Sequence, residues 1–214
     1  LLKQKILNTS SDIELKNASD PAYDLRTYGR VTSVKVQGSC GACWTFAAMA
    51  AAESSFMPGE TNDFSENNLK NLHGFDWGPC DGGNFDMAAA YFMRWSGPVN
   101  EADDTYGVSD PTSPSLPPVK HVKNYLSVSS ASISSIKEAV VQYGVVYADF
   151  YYEESFFNSS TNAYYYTGSA DVNHAVAIVG WDNNYSKSNF KTSPANNGAW
   201  IIKNSWGSSW GSSG

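Results

Sequence analysis

Gln37-Gly38-Ser39-Cys40-Gly41-Ala42-Cys43-Trp44 is the stretch on which the reading of this chain turns. It places Cys43 at the start of an expected helix running to about Met57. Ala47, Ala48, Ala50, Ala51 and Ala52 give that helix high propensity. Trp44, Phe46 and Phe56 add apolar bulk on several faces, so the helix is expected to be central and buried, with Pro58-Gly59 ending it. A thiol at neutral pH is only partly ionised, and a helix N-terminus favours the nucleophilic thiolate. Two later segments supply what such a thiol needs: Asn173-His174-Ala175 and Lys203-Asn204-Ser205-Trp206-Gly207. His174 has the chemistry of the activating base, and Asn204 that of a group that accepts from one imidazole nitrogen and orients the ring. Trp206, two residues on, is placed to cover that hydrogen bond. The Gln37 amide and the Cys43 N–H are the natural donors for an oxyanion, with Gly38 and Gly41 letting the backbone turn closely.

Outward from this stretch, Pro21 to Gln37 reads as extended, with Val31, Val34 and Val36 at strand-like positions. Ser65 is a cap for a short helix carrying Leu69 and Leu72, and Phe85 to Trp95 reads as a third helix closed by Gly97-Pro98. Asn100 to Pro118 is rich in Pro, Ser and Asp and reads as a crossing loop. After it, His121–Val128 is expected as a strand and Ser132 to Tyr143 as a helix with Ile133, Ile136, Val140 and Tyr143 at helical spacing. Val145–Phe150, Ala175–Trp181 and Ala199–Lys203 are apolar or β-branched runs of strand length, the last two separated by the polar loop Asp182–Gly198. A helical half thus precedes a sheet-rich half, an α+β arrangement.

Composition bounds the function. The 214 residues carry a net charge of −7, which argues against nucleic acid as a partner, because that requires a basic face. No apolar run reaches the roughly 18 residues of a membrane span. Three cysteines fit one disulfide and one free thiol, and a disulfide implies an oxidising compartment: extracellular, cell-surface or similar. Sequons at Asn8, Asn17, Asn158 and Asn184 are compatible with secretion. His73 and His121 read as solvated, without metal-ligand spacing. Both ends of the chain read as cut from something longer, so further domains beyond either end are expected.

These segments together resemble the papain/cathepsin cysteine peptidases. Cys40-Gly41-Ala42-Cys43-Trp44 is similar to their nucleophile signature, and His174 falls within the roughly 130–150 residues downstream at which the family places its histidine. Asn204 comes later than usual, and the loop Asp182–Gly198 accounts for the excess. Asp24-Leu25-Arg26 looks like the mature start of the family, and Cys80-Asp81-Gly82-Gly83 like its Cys-x-Gly-Gly segment. The resemblance implies a Cys40–Cys80 disulfide and a backbone at Gly83 that faces an extended substrate. A second family disulfide starts near a position that is His73 here, so a single bridge is expected. The resemblance also implies that Phe85, Ala148, Val172 and Ala175 line the pocket for the side chain two residues before the cleaved bond. With Gly83 and Trp206 they make up the expected substrate-binding set. All four are apolar, so an apolar side chain is expected there.

The implied fold is papain-like and two-lobed. A linker or pro-segment remnant occupies residues 1–20 and the peptidase domain residues 21–214, with a helical lobe at about 28–115, a β-barrel-like lobe at about 116–214 and the cleft between them. The final strands of the family after Trp210-Gly211 are missing. The implied reaction is peptide-bond hydrolysis through a thioester acyl-enzyme on Cys43, His174, Asn204 and Gln37. Polypeptides are the expected substrates, and neither metal nor cofactor is implied. Two other outcomes fit the same fold: acyl transfer to an amine, giving ligation, and an inactive binding or adhesion module. The first shares its opening half-reaction with hydrolysis. The second is at odds with an intact nucleophile, base and glutamine.

Overall fold

The computed structural model describes residues 17–107, 111–112 and 114–214. Most of the expected 1–20 linker, including the Asn8 sequon, lies outside the described residues, as do four positions of the 100–118 loop. The elements run β1 (Ala22–Asp24), α1 (Cys43–Ser54), α2 (Glu66–Leu72), α3 (Phe85–Met93), α4 (Ile133–Tyr143), β2 (Val146–Phe150), β3 (Phe157–Asn158), β4 (Ala163–Tyr164), β5 (His174–Asp182) and β6 (Ala199–Lys203).

α1 is the spine of the molecule. Small alanines on every side let neighbours approach it closely, and large residues fill what remains. Trp44, Ala47, Ala48 and Met49 pack with Leu69, Met87, Tyr91 and Phe92 of the helical half. Ala50 packs into a second core with Ile136, Val140, Ile178 and Trp181. A helix apolar all round is buried all round, as its composition requires. It ends at Ser54 rather than Met57. Phe56 and Met57 donate to Glu53 and Ser54, tightening the chain into three-residue turns before Pro58, which disfavours helix in the residue ahead of it.

The remaining helices follow their caps. Ser65 Oγ accepts the Asn68 N–H at 2.9 Å, Asn84 Oδ1 accepts that of Met87 at 3.0 Å, and Ser132 Oγ that of Ser135 at 3.2 Å. α3 stops at Met93 because Trp95 turns left-handed, with φ 61°.

β5 organises the sheet. It pairs antiparallel with β6 along Ala177–Asp182, with β2 along His174–Ile178, and with β1 along Gly180–Asp182. Since the β6 range overlaps both the β2 and the β1 ranges along β5, β2 and β1 lie end to end on the edge opposite β6. His174 through Trp181 are buried, because α1 and α4 cover the strand. Gly180 is obligatory at the β1 crossing, where any Cβ would overlap the Tyr23 carbonyl. β3 and β4 form a separate two-stranded ribbon.

Three expectations change. His121–Val128 forms no strand; it runs unpaired and mostly exposed, having the composition of a strand without an edge to join. Of Val31, Val34 and Val36, only Val36 makes a bridge, to Trp206, and Leu25–Tyr28 forms a 3₁₀ turn where an extended run was expected. His73 is buried, not solvated: it accepts the Phe75 N–H at 3.1 Å and meets the edge of Trp44 at 5.9 Å.

The halves are tied by buried charge. Lys35 Nζ lies 2.6 Å from Asp63, 2.8 Å from Glu66 and 3.4 Å from Glu53. Glu53 also accepts from Thr32 at 2.5 Å and from the Phe64 N–H at 2.9 Å, and Lys203 donates to Thr32 at 3.0 Å. This network lies in the chain just before Gln37 and just before Asn204, and so fixes the base of both.

Candidate active site

Cys43 is the first residue of α1, half-buried, and the free cysteine among the described residues. Cys40, three residues earlier, is bonded to Cys80. The bridge holds the turn against the Cys80 segment so tightly that a Cβ at Gly41 would overlap the Cys80 carbonyl. Burial pushes the Cys43 thiol up, opposed by the N–H groups of Ala175, Trp44 and Cys43 itself, while the charge of Asp149 adds to the rise. Ala175 follows His174, so β5 of the sheet half brings its first residues against the N-terminus of α1.

His174 opens β5 and is buried. Its Nε2 lies 2.8 Å from Asn204 Oδ1, which also accepts the Ser205 N–H at 2.8 Å. That backbone donor identifies the oxygen end of the amide, so the imidazole carries its proton on Nε2 and leaves Nδ1 as the basic nitrogen. Trp206 stacks on the ring, with centroids 4.6 Å apart and planes at 25°, and Tyr152 meets Trp206 edge-on at 4.8 Å. The Trp206 ring thus lies over the imidazole that makes this hydrogen bond. Burial lowers the His174 pKa, and the Asn204 bond partly restores it.

Gln37 is buried and held from three sides. Its Nε2 donates to the Cys40 carbonyl at 2.8 Å, its Oε1 accepts from Ser205 Oγ at 2.6 Å, and its own carbonyl accepts from Tyr106 OH at 2.8 Å. One Nε2 hydrogen is spent on Cys40, and the second is left to donate. Residues 204–207 are laced to 35–37: Gln37 N–H donates to Ser205 O at 2.8 Å and Gly207 N–H to Lys35 O at 3.1 Å. The asparagine and the glutamine thus share one scaffold.

The pocket set needs one correction. Along β2, side chains alternate, and register places Asp149 opposite Ala175 and Ala148 opposite Val176. Ala148 turns into the core shared with Val140 and Ile178, while Tyr147 packs against the other core, the one that holds Trp44, Met87 and Ala175. The residues of β2 on the Ala175 face are therefore Tyr147 and Asp149. The expected all-apolar wall misses by one register step, which flips a side chain to the other face. Phe85, first in α3, lies 5.5 Å from the Tyr147 ring and 5.1 Å from that of Tyr125. Val172 stands 61% exposed in the approach to β5. Gly83 backs onto the Trp44 indole, which any Cβ would overlap, and borders a hollow of about 310 Å³ with Phe75, Trp77 and Asp86.

Sequence reasoning passed over Ser205, Tyr106 and Asn173 as positioning groups. Asn173 exchanges side-chain hydrogen bonds with the Tyr152 backbone, at 2.7 and 3.0 Å, and so extends the strand pairing to the residue before His174. Asn173 and Ser205 stand beside the quoted His174 and Asn204, and that adjacency was the available signal. Tyr106 had none.

Comparison with known proteins agrees with this geometry. The family described as "Papain family cysteine protease" matches residues 20–214, and the chain belongs to it. The senescence-specific cysteine protease SAG39 of Oryza sativa subsp. japonica is 31% identical over 209 residues, covering 92% of this chain and 57% of the relative. Among solved structures, the cysteine protease and lectin-like domains of Cwp84, a surface layer associated protein of Clostridium difficile, align with TM-score 0.76 and 32% identity. The alignment covers 91% of this chain and 46% of that one. Digestive procathepsin L 3 of Tenebrio molitor aligns with TM-score 0.71 and 27% identity, over 96% of this chain and 65% of that one. The chain thus spans about half of the relatives it matches. The two-lobed α+β papain-like fold is shared with these structures.

Proposed function

We propose that this chain is a cysteine-type peptidase acting on polypeptides through Cys43, His174, Asn204 and Gln37. The observation that carries the reading is the His174–Asn204 pair under Trp206, with His174 at the start of the strand packed on the helix whose first residue is the free thiol. His174 Nδ1 takes the thiol proton. The Cys43 sulfur adds to the scissile carbonyl carbon, and the resulting oxyanion accepts from the Cys43 N–H and the spare Gln37 N–H. The tetrahedral adduct collapses as His174 protonates the leaving amine, giving the thioester. His174 then removes a proton from water, whose oxygen attacks the thioester and releases the acid and the thiol.

Gln37, Asn204 and Trp206 are read as holding donors and base in place, and Gly83 as the backbone edge against which an extended peptide lies. The Cys40–Cys80 bridge fits an oxidising compartment, and we place the protein outside the cell or at its surface. Further domains beyond these residues fit the share of the relatives that the chain covers. Covalent labelling with a peptidyl epoxide, read by mass spectrometry, tests the reading. Modification at Cys43 that disappears in His174→Ala is expected. Absence of labelling in folded, reduced protein overturns it.

A further inference from the structure

We infer that Asp149 makes this cleft select substrates with a cationic side chain, lysine or arginine, in the pocket bounded by Phe85 and Ala175. The inference rests on the peptidase reading above and names the substrate class for the same site.

Three observations carry it. First, register: Asp149 lies directly opposite Ala175, at the start of the strand packed on α1, and both the Ala175 N–H and the Asp149 charge act on the Cys43 thiol. Cβ atoms of directly opposed residues are only about 5 Å apart, so the carboxylate stands on the wall beside the thiol. Second, partnership: Tyr147 OH donates to Asp149 Oδ1 at 2.7 Å, and Asp149 is otherwise exposed. No lysine or arginine among the described residues pairs with it. Third, surroundings: the rings of Phe85, Tyr147 and Tyr125 gather at the same place. Aromatic faces suit the alkyl stem of a lysine or arginine and attract its charge. Asp86 of α3 adds negative charge close enough to act on Tyr147.

A carboxylate here works against the chemistry in the empty enzyme. A negative charge near a thiol disfavours the thiolate, and Asp149 raises the Cys43 pKa. A cationic substrate side chain cancels that charge on binding. An uncharged side chain leaves it in place, and an acidic one adds to it. Discrimination therefore acts both on binding and on the nucleophile.

The test uses peptide amides identical except at the residue two before the cleaved bond, carrying Arg, Lys, Leu or Glu, with wild type and Asp149→Asn. Asparagine keeps the size and can still accept from Tyr147. For wild type, kcat/KM for Arg and Lys is expected to exceed that for Leu by about tenfold, with Glu poorest. In Asp149→Asn the advantage over Leu should vanish. Epoxide labelling of Cys43 in both proteins reports that the fold and thiol are intact. Cleavage that favours Leu in both proteins overturns the inference and leaves the peptidase reading standing. No cleavage together with no labelling overturns both.

Discussion

Asn204 Oδ1 lies 2.8 Å from His174 Nε2 although the two residues come from different strands' ends, and the Trp206 ring stacks on the imidazole at 4.6 Å. The bond puts the imidazole proton on Nε2 and leaves Nδ1 as the base that the proposed mechanism needs. Asn204→Ala should therefore lower kcat/KM without abolishing it, by less than the roughly 10²–10⁴-fold loss expected for His174→Ala. Steady-state kinetics should place the loss in kcat rather than KM. Asn204→Gln, with a longer reach, should not restore it.

Gln37 is buried with both ends of its amide engaged, so its donor is preorganised. Gln37→Ala should reduce kcat by about 10²–10³-fold, the range for loss of one oxyanion donor, while leaving epoxide labelling site-specific. Ser205→Ala frees the amide to rotate and should give a smaller loss in the same direction. Equal activity of Ser205→Ala and wild type would show that the Ser205 bond does not position the donor.

The His174 pKa gives a sign that can be checked. Burial lowers it below the ordinary 6.5, and the Asn204 bond only partly opposes this. In Cys43→Ala, with no thiolate beside it, His174 should titrate below 6.5 by proton NMR. A folded-state value below the unfolded one means that the unfolded chain binds the proton first. This group's contribution to stability is therefore complete above about 6.5 and falls as pH drops through the folded value. In the active enzyme a thiolate partner moves the imidazole the other way, and the pair should titrate as a unit with a bell-shaped rate profile.

Lys35 binds the halves together through Glu53, Glu66 and Asp63. Burial alone would lower its pKa, but Glu66 and Glu53 outweigh burial and hold it above the usual range. Glu66, itself buried, is pushed up to about 8 in spite of Lys35. Lys35→Met would strand two buried carboxyl groups and should cost about 3–5 kcal/mol in urea unfolding, the range for breaking a buried pair from one side. The combined Lys35→Met/Glu66→Gln/Glu53→Gln protein should recover part of that loss.

The Cys40–Cys80 bridge spans a sequence separation of 40. A loop of that length contributes about 4 kcal/mol on the chain-entropy model. Cys40→Ser/Cys80→Ser should lower the midpoint of thermal unfolding accordingly, and dithiothreitol should have a matching effect on wild type. The double variant should still be labelled at Cys43, because the thiol sits on α1 and not on the bridge.

Much of this protein was legible in the chain. Ser65 and Ser132 caps, alanine-rich α1 and the strand-length runs of β2, β5 and β6 are local patterns, set by backbone propensity and burial on a period of 3.6 or 2. Cys43, His174, Asn204 and Gln37, the residues of the proposed site, stand out for a related reason, since each lies in a short segment whose residue types suit one chemical role. What the chain left open was pairing. His121–Val128 has strand composition without an edge to join, and His73 looks polar in sequence but is packed between Trp44 and Phe75. Ala148 and Asp149 are neighbours in sequence, yet only the register of β2 on β5 decides that the methyl group faces the core and that Asp149 stands opposite Ala175. Local composition determined the helices and singled out Cys43 and His174 for the roles proposed above. Long-range hydrogen bonding, which no local pattern encodes, decided that Asn204 meets His174 and that Asp149 stands opposite Ala175.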